Sequence, residues 1–264
     1  MAIGKQILSY PDVDLKVPVE SDGYKALSGY LIESINTAIR AVIDSGDNKI
    51  TLDTNLKLGI PMENVNKIAG PFIEAWAQEK FQGIVDDNDD DDSNLVNVQV
   101  GERLNMADII LQFKDPDDDD GVLTAYVDVK ATSNDIVGSG KSPNITSYSR
   151  IRSAYVNNPD YVFIILSIKH RVYSTRNEET GMMMGIMEIV DFHAYDLKYI
   201  SRADISYNPA LGTGQIQIKD IHYVAEEKRT SWEFCQLLDQ KFLASKKGFN
   251  QWLEYATQNG WIKD

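Results

Sequence analysis

The sequence predicts an α/β domain with a mixed central β-sheet flanked by helices. Three observations carry that prediction. Apolar residues recur at helical spacing near both ends of the chain, over residues 23–44 and 230–261. Residues 161–170 (YVFIILSIKH) are almost continuously apolar and β-rich, as in a strand covered on both faces. Shorter β-rich segments lie between, separated by polar, turn-forming stretches. No internal repeat or linker divides the chain, so one domain over residues 1–264 is expected.

Taken in order, GYKALSGYLIESINTAIRAVID (23–44) is an amphipathic helix whose apolar stripe faces either the core or a partner subunit. Residues 49–58 are expected to form a short strand. A second helix should span 63–83, with Pro71 breaking or restarting it, so that Phe72–Phe81 is its firm part. There Ile73, Trp76 and Ala77 share one side and Glu74 is displaced to a flank. LVNVQV (95–100) has strand character. Two further strands, 107–113 and 125–132, are joined by an acidic loop containing Gly121. Residues 131–147 are rich in Ser, Asn and Gly and are expected to be a loop. Tyr148–Val156 predicts a helix, stopped by Asn157-Asn158-Pro159. MMMGIMEIVDF (182–192) is a strand whose methionines fill the core. QIQIKDIHYV (215–224) alternates strictly, as a strand with one polar face does.

An apolar fraction of 43% over 264 residues supports a proper core. No apolar run is long enough to span a bilayer, and residues 1–18 lack the apolar stretch of a secretory leader. One cysteine, Cys235, excludes an internal disulfide, and with three histidines it argues against structural zinc. A cytoplasmic location is expected. The net charge of -14 is unlike a nucleic-acid-binding surface, but it is concentrated. Between Asp86 and Asp120, thirteen acidic residues face only Arg103 and Lys114. Most of them sit in DDNDDDD (86–92) and DPDDDD (115–120), which are expected to be solvated loops and lack the glycine and terminal glutamate of a calcium loop. From Val129 to Arg176 the balance reverses: Lys130, Lys141, Arg150, Arg152, Lys169, Arg171 and Arg176 oppose Asp135 and Asp160.

The strongest chemical signal lies in ADIILQF (107–113) and AYVDVKAT (125–132). Residues two apart in a strand point to the same face, so Asp128 and Lys130 share one and Val127 and Val129 the other. Pairing the two strands as a hairpin would bring Asp108 beside Asp128. Two carboxylates and an ammonium then converge, a set suited to phosphodiester hydrolysis with a hard divalent cation. Magnesium would be held by Asp108 and Asp128, with the Val129 carbonyl as a third ligand. Lys130 would orient or deprotonate water, or steady developing charge. Aspartate and lysine two apart also suit an ordinary ion pair on a wet strand face. Against that, both strands are otherwise strongly apolar, and buried charges are rare unless paired or metal-bound.

The D…DxK pattern resembles that of the PD-(D/E)xK nucleases, with Ala107 where the motif has proline. IAGPFIEAWAQEKF, ADIILQFK, VDVKATSND, SGKSPNITSYSRIRSAYV, FIILSIKH, DISYNPALGTGQIQIKDIHYV and KRTSWEFCQLLD are similar, in the same order, to segments of type II restriction endonucleases of the HpaI and HincII kind. That resemblance runs from about residue 16 to the C-terminus and does not include the acidic runs. It implies a restriction-endonuclease-like fold with a dimerising helical part at about 1–65, a catalytic core at about 66–200, and a recognition and helical part at about 201–264. It also implies a homodimer that cuts double-stranded DNA centrally at GTTAAC, leaving blunt ends, with Mg2+. A cognate DNA methyltransferase would protect host DNA without contacting the enzyme. Asp108 and Asp128 would be the metal ligands, Lys130 the catalytic lysine, and Glu74 the helix glutamate near the site, against the alternative of a solvent-facing side chain.

The resemblance further implies two DNA-contacting loops. Lys141-Ser142-Pro143-Asn144 would lie near the central base steps. Tyr207, Asn208, Ala210, Thr213 and Gln215 belong to a major-groove segment, in which Asn208 and Gln215 suit adenine and Ala210 or Thr213 a thymine methyl. Asn, Gly and Pro are equally turn residues. Arg150, Arg152, Lys169 and Arg171 would serve phosphates, and His170 is either a further site residue or a structural one. Competing expectations are a related nuclease reading GTYRAC, a catalytically inactive DNA-binding module, and an acidic DNA mimic. The last leaves the basic stretch and the apolar setting of the carboxylates unexplained.

Overall fold

The structure, a computed structural model, describes residues 10–87, 94–101, 105–210, 212 and 214–263. In chain order the elements are α1 (Tyr24–Asp44), β1 (Lys49–Leu52), α2 (Met62–Asp86), β2 (Leu95–Val100), β3 (Ile109–Asp115), β4 (Asp118–Ser133), β5 (Asn144–Ser147), α3 (Tyr148–Asn157), β6 (Phe163–Arg176), β7 (Met183–Asp196), β8 (Ile205–Asn208), β9 (Gln215–Ile218), α4 (Ser231–Leu243) and α5 (Gly248–Gln258). A six-stranded sheet has the order β1-β7-β6-β4-β3-β2, antiparallel throughout except for the β4–β6 pair. The α/β class with a mixed sheet is therefore observed.

The near-continuous apolar run becomes β6, third in the sheet, with Phe163–Leu166 and Ile168 inaccessible to solvent. Alternation along the strands splits the core. On one side Leu31, Ile35 and Ile39 of α1 and Ile73, Trp76 and Phe81 of α2 pack against Ile109, Leu111, Val127 and Leu166. On the other side α3, α4 and α5 close over Phe163 and Ile165. The apolar stripe of α1 is therefore used within its own subunit.

Four elements depart from expectation. Helix α2 runs through Pro71 without a break. Pro71 lies on the exposed side, while Val65, Ala69, Ile73, Trp76, Ala77 and Phe81 are buried. Burying that stripe outweighs the lost backbone hydrogen bond. The acidic segment 115–120 is exposed to solvent, as expected, but is not a loop. It is a tight turn at Pro116-Asp117, with Asp118, Asp119 and Asp120 already in β4, and the carboxylates of Asp115 and Asp118 accept from the backbone of Asp117 and Asp120. Of the other acidic run, Asp86 ends α2, while residues 88–93 lie outside the described residues. The strand expected over 49–58 stops at Leu52.

The largest departure is a second sheet, of order β5-β9-β8. β5 arises from the stretch expected to be a loop, β8 was not expected at all, and only Gln215–Ile218 of the alternating segment 215–224 is strand. Ile145, Ile205, Ile216 and Ile218 are buried in the second core, which gives these four-residue strands their footing. The C-terminal helical region is two helices, the first started by a capping box between Thr230 and Glu233. No helix among the described residues is long and apolar enough to cross a membrane.

Candidate active site

The β3–β4 ladder pairs Ile109 with Val127, and its last backbone bond runs from Asp108 N–H to the Val127 carbonyl at 2.9 Å. Beyond it the strands fork. The next N–H on this side, that of Val129, donates to the Asp108 carboxylate (Oδ2) at 2.8 Å instead of to backbone. N–H and C=O of one residue point to the same side of a strand, so the Val129 carbonyl faces the opening. Asp108 is held at that point by its own backbone: Gly101 N–H donates to its carbonyl at 2.7 Å. A Cβ on Gly101 would stand 2.1 Å from the Ala107 carbonyl oxygen, so only glycine permits this approach.

Asp128 and Lys130 share a face as expected. Lys130 Nζ lies 2.8 Å from Asp128 Oδ1 and 2.7 Å from Oδ2, and 3.5 Å from the Val129 carbonyl. Asp128 is buried, and its carboxyl is pushed up to about 7. Burial is the largest cause, and Asp108 and Glu74 add repulsion that the Lys130 ion pair only partly offsets. Glu74, half-buried on α2, reaches the same cluster. Its carboxyl is also pushed up to about 7, by burial first and then by a hydrogen bond to Asp108 and the Asp108 charge. The alternative of a purely solvent-facing Glu74 is thus set aside.

Three carboxylates therefore face one ammonium. Their oxygens are the donors a hard cation takes, and burial first, then mutual repulsion, raises the proton affinity of Glu74 and Asp128. Among the described residues no group of three or more His, Cys, Asp or Glu side chains is arranged to hold a metal ion by itself. The open arrangement suits a cation that keeps waters and is completed by substrate phosphate oxygens, as magnesium is. The donor chemistry of these residues fits such an ion, which Asp108, Asp128 and the Val129 carbonyl would hold.

The two predicted DNA loops form one surface. Lys141 and Ser142 lead into β5, which pairs with β9, which pairs with β8. Directly opposed residues present side chains on the same face. One row therefore contains Asn144, Gln217 and Ser206, and the next Ser147, Gln215 and Asn208. The opposite face carries Tyr207, Ile216 and Thr146. Uncharged amides and hydroxyls thus cover one whole face. Gln217 and Ser206 were not among the predicted residues, although the alternation QIQI signalled a polar face. The sheet is strapped to the catalytic strand's far end: Ser139 Oγ accepts from Ser133 N–H at 2.7 Å, and Ile221 N–H donates to the Gly140 carbonyl at 3.0 Å.

Several predicted residues take other places. Arg152 is wholly inaccessible to solvent and cannot meet a phosphate: its guanidinium makes two bonds to Asp239, at 2.8 and 3.0 Å, beneath the Trp261 ring. Tyr207 turns inward against Tyr148 and Phe242. A Cβ at residue 214 would stand 2.1 Å from the Tyr207 hydroxyl, so Gly214, at a positive φ of 89°, is needed there. Arg171 is paired with Glu188 at 2.7 Å, and Lys169 lies 3.9 Å from Asp191. His170 is buried, and burial lowers its pKa. Asn208 Oδ1 accepts from Ala210 N–H at 3.0 Å and shapes the turn. Lys141, Asn144 and Arg150 are exposed, and Gln215 is half-buried. Thr213 lies outside the described residues.

The family described as Type II restriction endonuclease HpaI matches residues 11–260. The Type II restriction enzyme HpaI of Haemophilus parainfluenzae is 60% identical over 258 residues, spanning 97% of this chain and 100% of that one. The chain belongs to the HpaI family of type II restriction endonucleases. Like other members of the HpaI family it is a site-specific deoxyribonuclease. A more distant likeness, to the NlaIV restriction endonuclease, has a TM-score of 0.49 at 11% identity and covers 85% of each chain.

Proposed function

We propose that the enzyme cuts both strands of double-stranded DNA at the palindrome GTTAAC, centrally and to blunt ends, using Mg2+, as a cytoplasmic homodimer. The fork where Asp108 lies beside Asp128 and its Lys130 ion pair carries the chemical part of this reading. The 60% identity to the HpaI of Haemophilus parainfluenzae supports the sequence specificity. A palindrome presents the same half-site twice, which a twofold dimer reads with identical surfaces.

Asp108, Asp128 and the Val129 carbonyl would hold the cation. When bound, it supplies charge neutralisation at the scissile phosphate and a water that ionises near neutral pH. Lys130 Nζ, anchored across both oxygens of Asp128, orients the attacking water or steadies charge on the phosphate. Glu74, whose carboxyl is pushed up to about 7, would take a proton from that water or pass one on. The amide face reads base edges, with Asn144, Asn208 and Gln215 as readers and Lys141, Ser142, Ala210 and Arg150 in the surrounding contact surface.

Digestion of a sequenced plasmid with magnesium, followed by end-sequencing, tests the proposal. Blunt cuts confined to the centre of GTTAAC are expected. Cuts at GTYRAC would overturn the specificity and keep the chemistry. Specific binding without cutting would overturn the chemistry.

A further inference from the structure

We infer that Gln217 is a positioning residue that fixes the Asn144 amide so that it offers a donor, not an acceptor, to DNA. This rests on the DNA-reading role proposed for the amide face. Gln217 Nε2 donates twice, to the Ser142 carbonyl at 3.1 Å and to Asn144 Oδ1 at 2.9 Å. A backbone carbonyl only accepts, so the Gln217 atom facing Ser142 must be its NH2. The same NH2 meets Asn144, so the Asn144 atom that meets it must be the oxygen. The two polar atoms of an amide diverge, which leaves Asn144 Nδ2 on the exposed face, with no bond of its own among the described residues. The orientation of both amides thus follows from a single main-chain carbonyl.

The backbone gives Gln217 a second task. Ser142 sits at a φ of 52°, the one non-glycine residue with positive φ among those described. Such a conformation is strained and persists only where its surroundings hold it. Ser142 N–H donates to the Lys219 carbonyl at 3.0 Å, and its carbonyl accepts from Gln217. Gln217 of β9 and Lys219 just beyond it therefore grip Ser142 at both ends, and Asn144 inherits its place from that grip. The DNA atom met by Asn144 must then be an acceptor: a phosphate oxygen, a purine N7, or the O4 of thymine or O6 of guanine.

A double-mutant cycle on full-length dimeric enzyme tests this, with Gln217→Met, Asn144→Ala and both together, using a duplex carrying the sequence that the wild-type enzyme is found to cut. Gln217→Met should lower kcat/KM about tenfold or more, the usual scale for losing positioned hydrogen bonds. In the Asn144→Ala background it should lower it by no more than twofold, with the melting temperature of the DNA-free protein little changed. Independent, multiplying losses would overturn the inference, because a merely structural Gln217 would act without Asn144. Wild-type kcat/KM in Gln217→Met would overturn it as well. A wild-type enzyme that cuts no duplex would instead remove the nuclease reading on which the inference rests.

Discussion

Asp128→Asn should abolish cleavage and yet make the metal-free protein more stable at pH 8. Asp128 is 3% exposed, and its carboxyl is held at about 7 against an ordinary 3.8. A carboxyl whose folded pKa is raised binds its proton more tightly in the fold than in the unfolded chain. Stability therefore falls as pH rises from about 4 to about 7, and the full cost persists above that. About three powers of ten in proton affinity, at 1.36 kcal/mol each, set a ceiling near 4 kcal/mol. Asparagine keeps the shape and removes the charge, but it also deprives Lys130 of its partner. The attraction of Lys130 is already contained in that net shift, but one carboxylate oxygen becomes an NH2 facing the ammonium, a donor against a donor, which offsets about 1–2 kcal/mol. The expected net gain is about 2 kcal/mol, or about 4–8 °C in Tm for a chain of this size. Thermal and urea unfolding in EDTA would measure it at pH 8 and pH 5. At pH 5 the folded wild-type carboxyl is protonated and the advantage should vanish. Saturating magnesium at pH 8 should reverse the order, because it binds the folded wild type. A less stable variant at pH 8 in EDTA, or an advantage independent of pH, would refute the reasoning.

Arg152→Met leaves Asp239 buried without its counter-charge and should cost about 3–5 kcal/mol in urea unfolding, with no change in the salt dependence of DNA binding. A reduced salt slope would return Arg152 to the DNA surface. Lys141→Ala should act oppositely: stability unchanged, and the slope of log affinity against log salt smaller by about 1 in filter-binding titrations. Pro71→Ala restores a backbone donor at an exposed helical position and should raise stability by about 1–3 kcal/mol in thermal unfolding, whereas a loss would show that the proline is needed for the path of α2.

The cluster of Asp108, Asp128 and Lys130 was legible because it is local. Asp108, Asp128 and Lys130 lie in two segments whose apolar patterns define strands, and a hairpin is the simplest way to join them. The same holds for α1 and β6, where long periodic or continuous runs leave little choice. Arg152 was misassigned because its burial depends on Asp239, 87 residues away, which no local pattern announces. The second sheet escaped because its strands are four residues long and form only where the C-terminal helices cover their isoleucines. Pro71 signals a break locally, yet the buried stripe on either side of it decides. Gln217 was visible as one of the polar positions of an alternating strand, but its partnership with Asn144 follows only from the pairing of β5 with β9.

The β3–β4 hairpin has a polarity of its own. Its fork carries Asp108 and Asp128, and its tip carries Asp115, Asp117, Asp118, Asp119 and Asp120. Seven residues separate Asp108 from Asp115, so at roughly 3.3 Å per residue the acidic tip stands about 23 Å or more from the fork. That is more than two Debye lengths at physiological salt, so the tip adds little repulsion at the scissile phosphate. Where the tip itself comes within about one Debye length of a duplex, the same charges do act. Polyanionic DNA pushes the tip away and so exerts a torque on an approaching molecule, turning the opposite end of the hairpin toward the duplex. A chain of strongly negative net charge can in this way be its own rudder: the acid that opposes binding in total favours arrival with the fork first.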